Sequence, residues 1–306
     1  MTIAVLPHSV LASLEGRLPD WLDVRWWRSP EELVALAPAA EIGWFDMHEK
    51  EAPLAAIEAA AGLRWLNTSY TGVDWMPLDE LHRRGVALTC GSGLTTNQVA
   101  EFALLSMLAV AKDYPAVVRA QDRHEWLDAA PGTRDLAGSR ALMLGHGAIG
   151  QAIERALEAL GVEVCAVSSH RPRNWRSQIG TFDWIVLAVP GTPETRGMIG
   201  AAELAGMKPE AVMVNFARAD CVDQAALTTA LRERRIGAAI LDLTDPEPLP
   251  PGHPLWSLPN AHITMHLSGI PTAASQARAA ERFVRNCERF RAGEPLEAQV
   301  DLTRGY

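Results

Sequence analysis

The sequence Ala141-Leu-Met-Leu-Gly145-His-Gly147-Ala-Ile-Gly150 decides the fold of this chain. Its apolar start, Ala141–Leu144, predicts a buried strand, and the amphipathic segment Ala148–Leu160 predicts a helix. Gly145 permits a tight turn, Gly147 lets the backbone approach a pyrophosphate, and Gly150 lets the helix pack on the strand. The alternative is a glycine-rich turn without a ligand. The predicted dinucleotide-binding residues here are Gly145, Gly147, Ala148, Ile149 and Gly150.

Short apolar strands and helical segments alternate on both sides of this motif, which predicts parallel sheets covered by helices. A chain of 306 residues exceeds what one hydrophobic core usually serves. The breaker Gly91-Ser-Gly93 precedes a long apolar helix that Thr95 or Thr96 can cap. We therefore predict an α/β fold of two Rossmann-like domains with parallel sheets. The first is discontinuous (residues 1–94 and 274–306), and the second, a dinucleotide-binding domain (residues 95–273), is inserted into it.

The segment after the next predicted strand is polar and cationic. It reads Ser168-Ser169-His170-Arg171-Pro172-Arg173 and lacks the acidic residue that usually holds the ribose diol of NAD. Hydroxyl and guanidinium groups bind the extra phosphate of NADP through charge-assisted hydrogen bonds. We predict that NADP is preferred and NAD possible, with Ser168, Ser169, His170, Arg171 and Arg173 in contact with the cofactor. A solvated basic loop is the alternative.

Composition excludes several classes of protein. The net charge of -9 argues against nucleic acid or an anionic membrane as a partner. The four cysteines are scattered without a CxxC pair, which indicates neither a metal site nor a disulfide framework. The amino terminus lacks a signal-peptide pattern, and no apolar run approaches the length of a membrane span. We expect a cytoplasmic enzyme without a bound metal.

A series of fragments resembles the D-isomer-specific 2-hydroxyacid dehydrogenase family over nearly the whole chain. In order they are Tyr70-Thr-Gly-Val-Asp74, Asn97-Gln-Val-Ala-Glu-Phe102, Gly145–Gly150, Ala188-Val-Pro-Gly-Thr-Pro-Glu-Thr-Arg-Gly197, Met207-Lys-Pro, Val214-Asn-Phe-Ala-Arg218 followed by Val222-Asp223, Leu241-Asp-Leu, Pro246-Glu-Pro-Leu-Pro250 and Met265-His-Leu-Ser-Gly269. The resemblance implies an oxidoreductase that transfers a hydride between NAD(P)H and a small 2-oxo or D-2-hydroxy acid. The branch it is most similar to is the NADPH-dependent glyoxylate/hydroxypyruvate reductases, whose basic loop matches Ser168–Arg173. The discontinuous domain is then the substrate domain.

The resemblance also implies a catalytic set. Arg218 grips the substrate carboxylate and polarises its carbonyl with the forked guanidinium donors. His266 donates the proton to the carbonyl oxygen, and Glu247 holds the other ring nitrogen and favours the imidazolium. Each residue alone has an ordinary structural alternative, since arginine pairs at surfaces and histidine is often structural.

Further residues carry over by position, with ordinary strand-end packing as their alternative. Gly72 and Val73 match the backbone donors to the substrate carboxylate, and Thr71 matches a residue facing the cofactor. Four more match cofactor contacts: Val189 and Pro190 on the adenosine side, and Ala217 and Asp242 at the nicotinamide carboxamide.

Two departures from the family pattern stand out. Only Asn174–Phe182 separates the basic loop from the next strand, where the family commonly has a full helix, and Met265 stands where a proline often precedes the histidine.

Other dehydrogenases of the fold remain alternatives, among them phosphoglycerate, phosphite and formate enzymes. The Glu247–His266 pair argues against a formate enzyme. A dinucleotide-sensing corepressor or scaffold is the non-enzyme alternative. The helix from Thr95 to Ala111 is apolar on more than one face, which predicts a homodimer.

Overall fold

The computed structural model describes all 306 residues, Met1–Tyr306. The chain forms two compact units, one made of Met1–Thr95 with Pro271–Tyr306 and the other of Thr96–Ile270. Each unit contains one parallel sheet with helices, so the prediction of two α/β domains with parallel sheets is confirmed.

The first unit contains a five-stranded sheet with the order β2-β1-β3-β4-β5, in which every neighbouring pair is parallel. Its strands are β1 (Thr2–Pro7), β2 (Leu22–Trp27), β3 (Ile42–Trp44), β4 (Trp65–Asn67) and β5 (Ala87–Thr89). Its helices are α1 (Leu11–Leu14), α2 (Pro30–Leu36), α3 (Glu51–Ala59), α4 (Leu78–Arg83) and the C-terminal α10 (Ala273–Ala292).

Helix α10 belongs to the core of this first unit although it lies far away in sequence. Its Phe283 ring stacks on Trp65 at 4.9 Å between centroids and lies 5.2 Å from Trp44. A capping box of Thr272 and Ser275 begins the helix, and Gly293 in the left-handed conformation ends it. The last long amphipathic segment therefore completes the domain that the first strands begin.

The second unit contains a six-stranded parallel sheet with the order β11-β10-β9-β8-β6-β7. Its strands are β6 (Arg140–Leu144), β7 (Glu163–Val167), β8 (Trp184–Leu187), β9 (Val212–Asn215), β10 (Ala238–Leu241) and β11 (Ala261–Ile263). Its helices are α5 (Thr96–Ala111), α6 (Tyr114–Asp122), α7 (Ala148–Ala159), α8 (Ala201–Gly206) and α9 (Gln224–Arg232).

Both faces of this sheet are covered, because side chains alternate between two cores. Ala141 and Met143 of β6 pack into the core that contains α5 and α7, whereas Leu142 and Leu144 face the core that contains α8 and α9. The chain leaves β6 toward β7 on one side and returns to β8 on the other. This reversal of strand order opens a crevice at the carboxyl ends of the strands, where ligands bind in such sheets.

At three places the structure adds to what the sequence predicts. Strand β11 was not expected, because it is short and half-buried and includes the polar His262. Thr96 does not cap α5 because it lies inside the helix, and its buried hydroxyl has no hydrogen-bond partner. The segment Asn174–Phe182 contains a 3-10 helix, Arg176–Thr181, and no α-helix, and β7 is an edge strand of its sheet. None of the helices combines the length and the apolar character needed to cross a membrane.

Candidate functional site

The glycine turn after β6 has the geometry that a phosphate-binding loop requires. Gly145 has φ of 101°, and a Cβ there would lie 2.3 Å from the carbonyl oxygen of Ala188. A Cβ on Gly150 would lie 2.3 Å from the carbonyl oxygen of Gly145, so only glycine lets the helix approach this closely. At Gly147 a Cβ would meet nothing within 4 Å. Two glycines are therefore needed for packing, and the third leaves open space beside the helix.

This open space lies at the N-terminus of α7, a 12-residue helix. No side chain caps the helix at Gly147, and Ala148 is exposed while Ile149 is partly exposed. The first N–H groups of an α-helix lack intrahelical acceptors and carry the positive end of the helix dipole. The turn thus fits the pyrophosphate of a dinucleotide, and binding by the residues predicted for this group stays a prediction.

The basic segment folds into a tight turn at the carboxyl end of β7. Ser168 and Arg171 exchange two backbone hydrogen bonds of 3.2 and 3.0 Å, which places Ser169 and His170 at the tip. Arg171 and Arg173 are both exposed, and the Arg173 guanidinium lies 3.5 Å from the sulfur of Cys165 on β7. The turn is adjacent to the glycine loop, since Gly145 N–H donates to the Val167 carbonyl. Hydroxyl and guanidinium groups therefore stand beside the predicted phosphate site.

The loop after β8 closes the other side of the glycine turn. Val189 is half-buried and Pro190 is exposed. The Pro190 carbonyl accepts a hydrogen bond of 2.7 Å from the Thr195 hydroxyl, which also accepts from the Thr192 N–H. The threonines fix the path of this loop at the edge of the crevice.

The buried Asn215 organises the turn that follows β9 and carries Arg218. Its side-chain oxygen accepts from the Ala217 N–H at 3.0 Å, and its amide donates to the Arg218 carbonyl at 2.8 Å. The Arg218 guanidinium is only partly buried and donates to the Ala217 carbonyl at 2.7 Å. The side-chain amide of Asn215 thus fixes the backbone conformation of the turn around Ala217. This turn places Arg218 at the carboxyl edge of the sheet.

The loop after β10 carries Asp242 and Glu247. Asp242 is 2% exposed and directly follows the strand, whereas Glu247 lies on the exposed part of the loop. One Glu247 oxygen accepts from the Thr244 N–H at 3.1 Å. The other lies 2.9 Å from Nδ1 of His266. The carboxylate of Glu247 is therefore held by the backbone of its own loop while it meets the histidine.

His266 lies in the turn after β11, and 51% of its side chain is exposed. Its hydrogen bond with Glu247 raises the pKa of the ring, against the opposing effect of burial. Burial tends to raise the pKa of Glu247, but the hydrogen bond and the charge of His266 outweigh it, so this pKa is lowered. Each partner favours the charged form of the other. The guanidinium of Arg218 is close enough to shift both pKa values, toward lower values in each case.

The structure brings Arg218, Glu247 and His266 together at one edge of the second unit, together with Ala217 and Asp242. The half-buried guanidinium of Arg218 is a group that can bind a carboxylate, and the imidazolium can donate a proton from Nε2 because Nδ1 is engaged by Glu247. A histidine–carboxylate pair and an arginine thus lie at the same edge of the sheet as the glycine turn.

Thr71, Gly72 and Val73 lie in the first unit, in the loop after β4. Val73 is buried, Gly72 is half-buried, and the exposed Thr71 donates to the Gly91 carbonyl at 3.4 Å. The base of this loop is tied to the half-buried Asp46, which accepts from the Ser69 N–H at 2.7 Å. Burial raises the pKa of Asp46 in spite of its hydrogen bonds. The loop is a defined feature of the first unit, and its binding role stays a prediction.

Sequence reasoning missed several residues that shape these loops: Asp46, Asn215, Thr244, Thr264 and Ser268. The last two were detectable in principle, because hydroxyl residues stand two positions before and two after His266. Their partner, Asp242, is predicted from the resemblance to contact the nicotinamide carboxamide. Nothing local in the sequence shows that these side chains meet.

Known proteins resemble this chain in sequence over most of its length. Residues 104–268 match the NAD binding domain of the D-isomer specific 2-hydroxyacid dehydrogenases. A glyoxylate reductase/hydroxypyruvate reductase of Mus musculus is 33% identical over 224 residues, which cover 68% of each protein. A glycerate dehydrogenase of Methylorubrum extorquens is 31% identical and covers 87% of this chain and 88% of its own.

Solved structures resemble the chain as well. A D-isomer specific 2-hydroxyacid dehydrogenase family protein of Aeromonas salmonicida superposes with a TM-score of 0.85 at 29% identity, over 98% of this chain and 99% of its own. An NADPH-dependent glyoxylate/hydroxypyruvate reductase of Sinorhizobium meliloti, in complex with NADP and malonate, has a TM-score of 0.81 at 23% identity, over 99% and 98% of the two chains. The second likeness is one of fold.

Proposed function

The chain belongs to the D-isomer-specific 2-hydroxyacid dehydrogenase family, and on that premise we propose that it reduces a small 2-oxo acid such as glyoxylate or hydroxypyruvate with NADPH. At the level of the family it is an NAD(P)-binding oxidoreductase. The observation that carries the proposal is the pairing of His266 with Glu247, 2.9 Å apart, at the edge of the sheet that also carries Arg218.

The three residues have distinct proposed roles. Arg218 binds the carboxylate of the 2-oxo acid and polarises the adjacent carbonyl, since its planar fork matches both oxygens. His266 donates the proton from Nε2 to the carbonyl oxygen, and Glu247 stabilises the imidazolium through Nδ1. A nicotinamide dinucleotide, when bound, would supply the hydride that this reduction requires. The product is a 2-hydroxy acid, of D configuration where the reduced carbon becomes a stereocentre, and the histidine is left neutral.

We propose that the unit Thr96–Ile270 binds the dinucleotide and that the discontinuous unit is the substrate domain. The open space at Gly147 and the uncapped N-terminus of α7 support binding of the pyrophosphate. The other proposed cofactor contacts are Val189 and Pro190 toward the adenosine, Ala217 and Asp242 toward the nicotinamide carboxamide, and Thr71. Gly72 and Val73 are proposed as donors to the substrate carboxylate.

NADP is the proposed cofactor because no carboxylate is placed to repel its extra phosphate. The turn at the end of β7 offers the hydroxyls of Ser168 and Ser169 together with His170, Arg171 and Arg173. Charge-assisted hydrogen bonds from arginine to phosphate are about twice as strong as neutral ones. An enzyme with this turn is expected to discriminate in favour of NADPH while it still accepts NADH.

The direct test is turnover of glyoxylate, hydroxypyruvate, pyruvate and phenylpyruvate with NADPH and with NADH, followed at the nicotinamide absorbance. We expect oxidation of the nicotinamide with glyoxylate, with hydroxypyruvate or with both. We also expect a higher kcat/KM with NADPH than with NADH. Dinucleotide binding without turnover of any 2-oxo acid would contradict the proposal and point to a binding protein.

We also propose a homodimer through one surface of the second unit. Leu105 of α5 is 59% exposed and Trp126 is 93% exposed. Leu108, Tyr114, Val118 and Leu127 are further exposed apolar side chains of the same segment. An apolar surface of this kind usually marks a protein–protein contact. The first unit, Met1–Thr95 with Pro271–Tyr306, has fewer exposed large apolar side chains than the second.

Solution scattering should therefore give twice the mass of the chain, and Leu105→Asp combined with Trp126→Asp should give the mass of one chain. The charges disfavour burial of this surface. Leu54→Asp, a change at an exposed position of α3, should leave the mass doubled. A single-chain mass for the unaltered protein at micromolar concentration is the contrary result.

A cytoplasmic location is proposed from the thiols. All four cysteines are unpaired, and burial raises the pKa of Cys287 to about 12. Unpaired, buried thiols are typical of proteins kept in a reducing compartment.

A further inference from the structure

The turn that carries His266 has an unfavourable backbone. Met265 and His266 are consecutive non-glycine residues with φ of 55° and 56°. The left-handed region is disfavoured for residues with a Cβ, and such conformations persist only where the surrounding contacts determine them. The turn must therefore be held in place by something other than its own preference.

Asp242 makes the contacts that hold this turn. Its backbone carbonyl accepts from the His266 N–H at 2.6 Å. Its Oδ1 accepts from the hydroxyl of Thr264 at 2.5 Å, and its Oδ2 accepts from the hydroxyl of Ser268. Thr264 and Ser268 stand two residues before and two residues after the histidine. One carboxylate thus ties together both ends of the turn.

The contact between Asp242 and Ser268 is protected from water, whereas Thr264 is half-buried. Asp242 is 2% exposed and Ser268 is 3% exposed. A buried carboxylate is costly unless its oxygens are hydrogen-bonded, and bonds to a charged group are stronger than neutral ones. The hydroxyls therefore gain strength from the burial of the charge, and loss of either one leaves a carboxylate oxygen without that partner.

We propose that Ser268 and Thr264 are positioning residues, which act through Asp242 to hold His266 in line with Glu247. The inference deepens the proposed function, on which it rests, because it says what keeps the proton donor in place. The carboxylate has further lone pairs, so this role is compatible with a contact from Asp242 to the nicotinamide carboxamide.

The charges around His266 predict how the pH dependence should respond. Glu247 and Asp242 favour the imidazolium, and Arg218 disfavours it. If the turn relaxes, the hydrogen bond to Glu247 weakens, and the raised pKa of His266 falls toward its ordinary value. Because carbonyl reduction needs the protonated ring, activity should then decline at a lower pH.

The test uses Ser268→Ala and Thr264→Val, with Thr264→Ser as the variant that keeps the hydroxyl. A displacement of about 1 Å in a catalytic group can lower a rate by about 100-fold. We expect a fall in kcat of roughly 10- to 100-fold for the first two variants, with the pH of decline moved downward. The NADPH affinity of these variants should stay close to that of the unaltered enzyme. Thr264→Ser should keep the kcat and the pH profile of the unaltered enzyme. The Ser268→Ala/Thr264→Val pair should lose less than the product of the single losses, since both hydroxyls act on one carboxylate.

Thr228→Val is the matched control, because this buried threonine donates to the Gln224 carbonyl inside α9. It should lower thermal stability without moving the pH profile. If Ser268→Ala does not fold, the comparison of Thr264→Val with Thr264→Ser in kcat and pH profile is sufficient to test the proposal. A folded hydroxyl-deletion variant with unchanged kcat and pH profile would overturn the proposal. So would a lower kcat with an unchanged pH profile, which is what a structural role predicts.

A second measurement separates this proposal from the proposed function. The pKa of His266 can be followed by NMR, with the resonance assigned by its absence from His266→Ala. If no 2-oxo acid is reduced, the proposed function fails, yet the pKa of His266 should still fall in Ser268→Ala and in Thr264→Val. An unchanged pKa in both would overturn the positioning role even in an active enzyme.

Discussion

His266→Ala should lower the turnover of the best 2-oxo acid by about 10²- to 10⁴-fold, the usual contribution of a positioned general acid. The imidazolium that we propose as the proton donor lies 2.9 Å from Glu247, and alanine removes this donor without filling its place. The NADPH affinity should persist, because the glycine turn proposed to bind the phosphates follows a different strand, β6. The measurement is steady-state kinetics alongside a binding titration of NADPH.

Two comparison variants sharpen this prediction. His82→Ala removes an exposed histidine of α4 and should leave the turnover unchanged. Glu247→Gln keeps the shape of the side chain but removes its charge, so more activity should remain than in His266→Ala. Near-normal turnover of His266→Ala would contradict the mechanism and favour a dinucleotide-binding protein whose function lies elsewhere.

The Glu247→Gln variant should also show where its charge acts. The raised pKa of His266 depends first on the hydrogen bond with Glu247. In the reductive direction the protonated ring is the active form, so activity is present at low pH and is lost as the pH rises through this pKa. Loss of the carboxylate lowers the pKa, and the decline should therefore begin at a lower pH.

Arg171→Ala combined with Arg173→Ala should weaken NADPH binding by roughly 10- to 150-fold, which corresponds to about 1.5–3 kcal/mol for a hydrogen bond to a charged group. NADH binding should change little, because NADH lacks the extra phosphate that the guanidinium groups are proposed to meet. Titration of both cofactors against the unaltered enzyme and the double variant gives the comparison.

The double variant also alters the net charge, and this effect needs its own control. Arg17→Ala combined with Arg28→Ala removes the same charge from exposed positions of the first unit and should leave both affinities unchanged. The NADPH loss should shrink as ionic strength rises, since exposed charges are screened. An equal loss for NADH and NADPH would refute the assignment of NADP as the preferred cofactor.

Local patterns were sufficient for much of the fold. The apolar strand, the glycine turn and the amphipathic helix at Ala141–Leu160 predicted β6 and α7 within a residue at each end, because periodicity and turn chemistry are properties of neighbouring residues. Strand β11 escaped prediction because it is short and mixed in polarity. Its position in the sheet depends on its pairing with β10, which is a tertiary contact.

The sequence by itself determined that a parallel α/β fold with a glycine turn typical of dinucleotide-binding domains would form. Its resemblance to the family indicated Arg218, Glu247 and His266 as the candidate catalytic residues. The family resemblance also predicted that Glu247 pairs with His266, but only the tertiary structure shows that the contact is made at Nδ1 and that Thr264 and Ser268 both donate to Asp242. Nineteen residues separate the first pair, and 22 and 26 separate the others. The pairing of β10 with β11 places these loops side by side, so no local pattern in the chain encodes the contacts between them.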